Sequence, residues 1–226
     1  MNHNKFINSK NIKKIIDEHH KKDAEIFSLK NTYNTYDFSY NILLTVFKDL
    51  KTSGGKDKLI IAGSSLVYSW MPTILNFSKG STNKDQYDSK LKDSKEAFDR
   101  IEEKINNDRN EKNLNFKDLD QNINTLSSFI NNSIVGTSKF LHFTFPETFP
   151  IWDSRVEKAT RYENGIYKNK NDYRTRNINN YIAYCIAVHD IIKNDKEFLK
   201  KLFDDKDHIL TDIRKIEYAL FLIGGK

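Results

Sequence analysis

SIVGTSKFLHFTFPETFPIWDSRVEK, residues 133–158, decides how this chain folds. The stretch divides into a tight turn at Gly136, a short apolar helix, an aromatic loop and a second helix opened by an acidic residue, Asp153. Glycine accepts positive φ without steric cost, which assigns the turn to Gly136, and Ser138 follows as the N-cap. Pro146 and Pro150, two of the three prolines in the chain, stop the first helix and stiffen the link, because proline lacks an amide hydrogen and restrains the residue before it. Asp153 then stands against the open N–H groups and the positive dipole end of the helix it starts. Two readings follow. A fixed negative charge beside an aromatic loop can stabilise a cationic transition state, and Asp followed by Ser at a helix start is also an ordinary cap.

Outward from that stretch, Phe116, Leu119, Ile123, Leu126, Phe129 and Ile130 recur at three- and four-residue intervals and predict the helix that feeds the turn. The order helix, Asn-Asn-Ser-Ile-Val-Gly, helix presents backbone N–H groups that can hold a phosphate without reading sequence. Towards the N-terminus, Ile12, Ile15 and Ile16 predict an amphipathic helix over 9–22, and a second apolar face runs over 37–50, ended by Ser53-Gly54-Gly55. Gly54-Gly55-Lys56 lacks the earlier glycine and the hydroxyl residue of a phosphate loop and reads as a plain turn. Residues 59–77 form the most apolar stretch, with Gly63-Ser64-Ser65 as a helix start and Pro72 as its stop. The charge-dense segment 80–115 predicts one long exposed helix over 86–107 with a thin stripe of Leu91, Ala97, Phe98, Ile101 and Ile105. Beyond Asp153 come a helix to about Arg161, a loop that interleaves Lys168, Lys170, Arg174 and Arg176 with Tyr167 and Tyr173, and helices over 178–193 and 208–222. Such interleaving suits a nucleic acid backbone, and a coding bias towards Lys and Asn produces the same pattern. No strand is predicted, Asn164-Gly165 lacking β-branched runs on both sides. The fold class is all-α: one domain over 1–226, divisible into lobes 1–115 and 116–226, with the Gly136 turn and Asp153 facing the cleft between them.

The 226 residues suffice for a substantial core, and aromatics at 12% exclude disorder over most of the chain. A net charge of +6 and a pI near 9.1 permit an acidic partner without selecting one. Cys185 is the single cysteine, so no disulfide framework, thiolate-only zinc site or four-cysteine cluster forms within one chain. His19 and His20 are adjacent and point about 100° apart on a helix, a poor metal pair, and His142, His189 and His208 flank apolar residues in structural settings. The expectation is therefore no metal and no cofactor. The first twenty residues are polar and charged, without a signal-peptide pattern, and no segment reaches membrane-spanning length, which predicts a cytoplasmic, monomeric protein away from membranes.

VGTSK followed by an apolar helix and then FPIWDSRVEK resembles the helix-hairpin-helix DNA glycosylase superfamily over residues 126–162. Gly136 fits the second hairpin glycine, and Asp153, Ser154, Val156 and Lys158 fit the family's aspartate and the hydroxyl, apolar and basic residues after it. Ile134 stands where the family has its first hairpin glycine, Trp152 adds a residue before the aspartate, and Lys139 lies one place beyond the lysine nucleophile of the bifunctional members. Either the turn is one residue longer and Lys139 faces the pocket, or Ser138 takes that place and only the aspartate acts. The resemblance implies a double-stranded DNA partner, a phosphate contact at Gly136, Thr137 and Ser138, and a nucleotide rotated out of the duplex into a cleft. Asp153 would then stabilise the oxocarbenium character of the sugar, with Lys139 as the lyase residue of a bifunctional version. Tyr68, Trp70 and Trp152 are the candidates for a base pocket, and an aromatic at helical spacing is equally a core residue. The rival expectation is a DNA-binding module that catalyses nothing, and a third is a protein-interaction domain.

Overall fold

A computed structural model describes residues 7–23, 27, 35–71, 74–111, 114–163, 166–167, 175–203 and 210–225. In chain order the helices are α1 (Ser9–Lys22), α2 (Thr35–Ser53), α3 (Lys56–Ser69), α4 (Lys84–Glu111), a 3-10 turn (Phe116–Leu119), α5 (Asp120–Phe129), α6 (Ile134–Thr144), α7 (Ser154–Thr160), α8 (Ile178–Asn194), α9 (Lys196–Leu202) and α10 (Asp212–Gly224). The chain is all-α, as its periodicity predicts. One small correction is needed: β1 (Tyr162–Glu163) and β2 (Ile166–Tyr167) pair antiparallel, Tyr162 opposite Tyr167 and Glu163 opposite Ile166. Asn164-Gly165, between them in the sequence, lies outside the described residues. Two compact units emerge, residues 1–40 with 145–226, and residues 41–144. The divisions thus fall at 40/41 and 144/145, and residue 115 lies inside the second unit.

In the second unit, α3 packs on α6, and α5 on α4 and α6. Phe47, Phe98, Phe140 and Phe143 gather at ring separations of 5.4 to 6.0 Å, each fully buried phenylalanine contributing about 1.5–3 kcal/mol. α3 starts at Lys56, seven residues before Gly63-Ser64-Ser65, because Gly63 is a contact residue: a Cβ there would lie 3.0 Å from Phe47 and 3.1 Å from Phe140. Among its described residues α4 buries a narrow stripe of Ser94, Ala97, Phe98, Ile101 and Ile105, Leu91 being only half-buried, and it ties its outer face down with exposed pairs such as Lys95–Asp57.

In the first unit, α1 packs on α7, α8 and α10, and α10 on α7, α8 and α9. Side-chain caps start these helices: Asn8 accepts from the Asn11 amide at 2.9 Å, Asn177 from Asn179 at 2.9 Å, Asp195 from Phe198 at 3.0 Å and Thr211 from Arg214 at 3.1 Å. α10 is buried along almost its whole circumference, from Ile213 to Leu220.

Candidate active site at the Asp153 cap

α6 ends at Thr144, and the chain turns at once, the amides of Thr148 and Phe149 donating to the carbonyl of Phe145 at 2.9 and 3.1 Å. Phe145, Phe149, Ile151 and Trp152 all point inward. α8 fastens the loop twice: the Tyr181 hydroxyl donates to the Pro150 carbonyl at 3.3 Å, and His189 Nε2 meets the Thr148 carbonyl oxygen at 2.8 Å. Burial lowers the His189 pKa, partly offset by that carbonyl. The prolines therefore deliver Asp153 from a rigid support.

Asp153 is extended (φ −140°, ψ −177°) and caps α7. Its Oδ1 accepts from the amides of Arg155 at 2.9 Å and Val156 at 3.0 Å, and its carbonyl takes the Glu157 amide at 2.8 Å. Oδ2 takes no hydrogen bond and no ion pair among the described residues, and the side chain is 8% exposed. The cap expected from sequence is thus present and uses one carboxylate oxygen. α7 lies along α10 so closely that Gly224 meets the backbone of Arg155, and the Arg155 guanidinium sits 4.5 Å above the Phe221 ring.

Behind Asp153 is a polar core that the sequence reading missed. Trp152, fully buried, donates its indole N–H to the Thr175 carbonyl at 3.2 Å and packs its ring 5.2 Å from that of Tyr184. It is accordingly a core residue, held by the Tyr184 ring and through its nitrogen, rather than a surface for a stacked base. Tyr184 is also fully buried, and its hydroxyl has no hydrogen-bond partner among the described residues. Burial raises its pKa well above the ordinary value; the charges of Cys185 and Asp153 add to this, and Arg214 eases it. Arg214, 2% exposed, lies 4.4 Å from the Tyr40 ring and 4.7 Å from the Tyr218 ring and pairs with Glu217 on the same helix. Tyr40 is pushed up to about 12 by burial, against the pull of Arg214. Removing one member of such a buried pair costs about 3–5 kcal/mol, since the other is left uncompensated. The signal available in sequence was the i,i+3 spacing of opposite charges inside an otherwise apolar run.

The turn in the second unit is built differently from the one expected. Left-handed backbone occurs at Asn131 (φ 58°) and Asn132 (φ 50°), asparagine tolerating this region better than most residues. Ser133 caps α6: its hydroxyl accepts from the Gly136 amide at 3.2 Å, and its carbonyl takes the Thr137 amide at 3.0 Å. Ser138 is therefore not the cap but a mid-helix residue whose hydroxyl returns to the Val135 carbonyl at 2.9 Å. Gly136 lies in the first turn of α6 without positive φ; its missing side chain makes room for Tyr68, whose hydroxyl would stand 2.4 Å from a Cβ. Thr137 and Ser138 are fully buried, so the amides left open at this helix start belong to Ile134 and Val135 instead.

α3 and α6 bring Tyr68, Trp70, Gly136 and Lys139 together. Tyr68 is 4% exposed, while Trp70 is part-exposed and closes α3, its amide reaching the Val67 carbonyl at 3.1 Å. The Lys139 ammonium, on a side chain 7% exposed, lies 5.6 Å over the Trp70 ring, and that ring meets Phe143 edge-on at 5.5 Å. These residues belong to residues 41–144, whereas Asp153 and Trp152 belong to the other unit.

A groove of about 530 Å³ runs along α1 and the end of α8, lined by Lys10, Lys13, Asp17, Asp190 and Asp195 among others; no expected site residue lines it. Among the described residues no three His, Cys, Asp or Glu side chains are placed to hold a metal ion, and no helix is long and apolar enough to cross a membrane. Pro72, Lys168, Lys170, Tyr173, Arg174 and His208 lie outside the described residues; Arg176 is exposed. Comparison with family models, with curated proteins and with solved structures finds no match.

Proposed function

We propose that the chain is a DNA N-glycosylase that acts with Asp153 alone. The observation that carries this reading is the division of labour within one carboxylate: Oδ1 is fixed by two amides of α7, and Oδ2 is left outside those bonds. A nucleotide turned out of the duplex costs a few kcal/mol of stacking and pairing. With its sugar at Oδ2, the C1′–N bond ionises against a fixed anion, and the developing positive charge at the ring needs no reorganisation of the protein. Water adds to C1′, its proton is lost, and the base leaves with the bonding pair and takes up a proton. The monofunctional version is favoured because the Lys139 ammonium is engaged over an indole face, so borohydride should trap no covalent adduct. Net charge of +6 is compatible with a polyanionic partner.

The second reading, a DNA-binding module without catalysis, has an observation of its own: two hydrogen bonds to Oδ1 are all that an ordinary cap requires. One experiment separates the two. Free bases released from genomic DNA, dimethyl-sulfate-treated DNA, uracil-containing DNA and base-modified phage DNA are measured by mass spectrometry for wild type and Asp153→Asn. The substitution keeps size and cap and removes the charge. A released base that disappears in Asp153→Asn supports the enzyme; unchanged release in the variant, or none from any DNA with binding retained, rejects it.

A further inference from the structure

We infer that Tyr184 is the positioning residue for Asp153, its phenol O–H closing onto Oδ2 when a nucleotide occupies the site. This rests on the glycosylase reading above. Three geometric facts carry it. Tyr184 is fully buried, yet its hydroxyl has no hydrogen-bond partner among the described residues, which wastes a donor that water would otherwise satisfy. Its ring packs 5.2 Å from that of Trp152, the residue immediately before Asp153, so the phenol and the carboxylate are carried on adjoining groups. Oδ2 is the oxygen that the α7 amides leave unused.

An orphaned donor and an under-used acceptor, one on Tyr184 and the other on the residue after its ring partner Trp152, are what is expected where a bond forms only in the substrate complex, as catalytic hydrogen bonds commonly do. The phenol is suited to the task. Burial holds it well above its ordinary pKa, so it remains a neutral donor. Arg214, whose charge eases that rise, is itself held by the Tyr40 and Tyr218 rings and by Glu217. Turning Oδ2 towards Tyr184 fixes the plane of the carboxylate against the sugar, a constraint that the two bonds to Oδ1 leave open.

The test is Tyr184→Phe in the full chain, assayed on whichever of the four DNA preparations above yields a base with wild type. The ring and its packing on Trp152 are kept, and one hydroxyl is removed. The expected result is a fall in kcat of about 10- to 100-fold, the worth of a hydrogen bond to a charged group, with KM unchanged and the melting temperature equal to or above that of wild type. The melting temperature discriminates, because removing a hydroxyl that makes no bond in the free protein cannot destabilise it through a lost bond. A melting temperature several degrees lower, with kcat falling only in step with the folded fraction, would make Tyr184 structural and overturn the inference. A wild-type kcat in Tyr184→Phe, with Asp153→Asn inactive, overturns it while leaving the glycosylase intact; no base released by wild type removes both.

Discussion

Gly224→Ala tests whether the position of α7, and with it Asp153, is set by contact with α10. A Cβ on Gly224 would lie 1.9 Å from the Arg155 carbonyl oxygen, 2.5 Å from its carbonyl carbon and 2.9 Å from its Cα. These are backbone atoms, so no rotamer change relieves them, and restoring ordinary contact requires α7 to move by about 1.5 Å. Overpacking of this kind costs about 1–3 kcal/mol, and a backbone obstacle puts the cost near the upper figure. Alanine returns up to about 1 kcal/mol of helix propensity, less at the last residue of a helix. The net loss is about 2 kcal/mol, which in a chain of this size lowers the melting temperature by about 4–8 °C. Gly225→Ala is the control, because its nearest atoms lie 3.4 to 3.5 Å away and its stability should stay within about 0.5 kcal/mol of wild type. Urea titration with circular dichroism reads both. Equal stability of the two variants, or a Gly224→Ala chain as stable as wild type, would refute the argument that this glycine exists for a close approach. If the glycosylase reading holds, Gly224→Ala also lowers excision about 100-fold in the folded fraction, the effect of a displacement near 1 Å.

Gly136→Ala meets the Tyr68 ring, with contacts of 2.4, 2.7 and 2.8 Å; the expected loss is about 1–2 kcal/mol in urea after the helix gain is subtracted, and Tyr68→Phe in the same chain recovers only part, since two of those contacts are to ring carbons. His189 predicts an acid limb. Its folded pKa lies below the ordinary 6.5, so the unfolded chain takes up the proton first, and the stability due to the neutral ring is complete above about 6.5 and is lost as pH falls through and below that value. His189→Gln should flatten the melting temperature between pH 7 and pH 5; an unchanged slope would assign the limb to other groups.

What sequence made legible was local. The 9–22 helix is found as Ser9–Lys22, Gly54-Gly55 is a turn before α3, and Asp153 is a cap, because periodicity, glycine pairs and cap chemistry act within a few residues. The errors came where a distant contact decided. Glycine's freedom of φ predicts the turn at Gly136, but Asn131 and Asn132 adopt the positive φ, and Gly136 is small for the sake of Tyr68, on another helix. The resemblance implies a base-pocket place for Trp152, and its burial rests on Thr175 and Tyr184. The helix expected over 208–222 gives no sign that Arg214 and Glu217 are 2% and 0% exposed, because that depends on the helices packed around it. α9 was missed as a helix because seven residues carry too little periodicity, although Asp195 caps it.

The identity of residue 153 bears on function for a reason independent of any resemblance. α7 has seven residues, too few to hold together in water without tertiary support, and α10 supplies that support. Its N-terminus needs one acceptor, which Ser, Thr or Asn provides as well as Asp, at a worth of about 1 kcal/mol. A carboxylate only 8% exposed adds a desolvation cost that those uncharged residues avoid. The positive end of α7 offsets part of that cost, so the stability of uncharged variants decides whether the fold by itself accounts for the charge. If Asp153→Asn and Asp153→Ser melt at or above wild type, the charge costs stability, and its presence must be explained by what approaches Oδ2 from outside the fold; if both melt well below wild type, the carboxylate serves the fold and the argument for a catalytic aspartate fails.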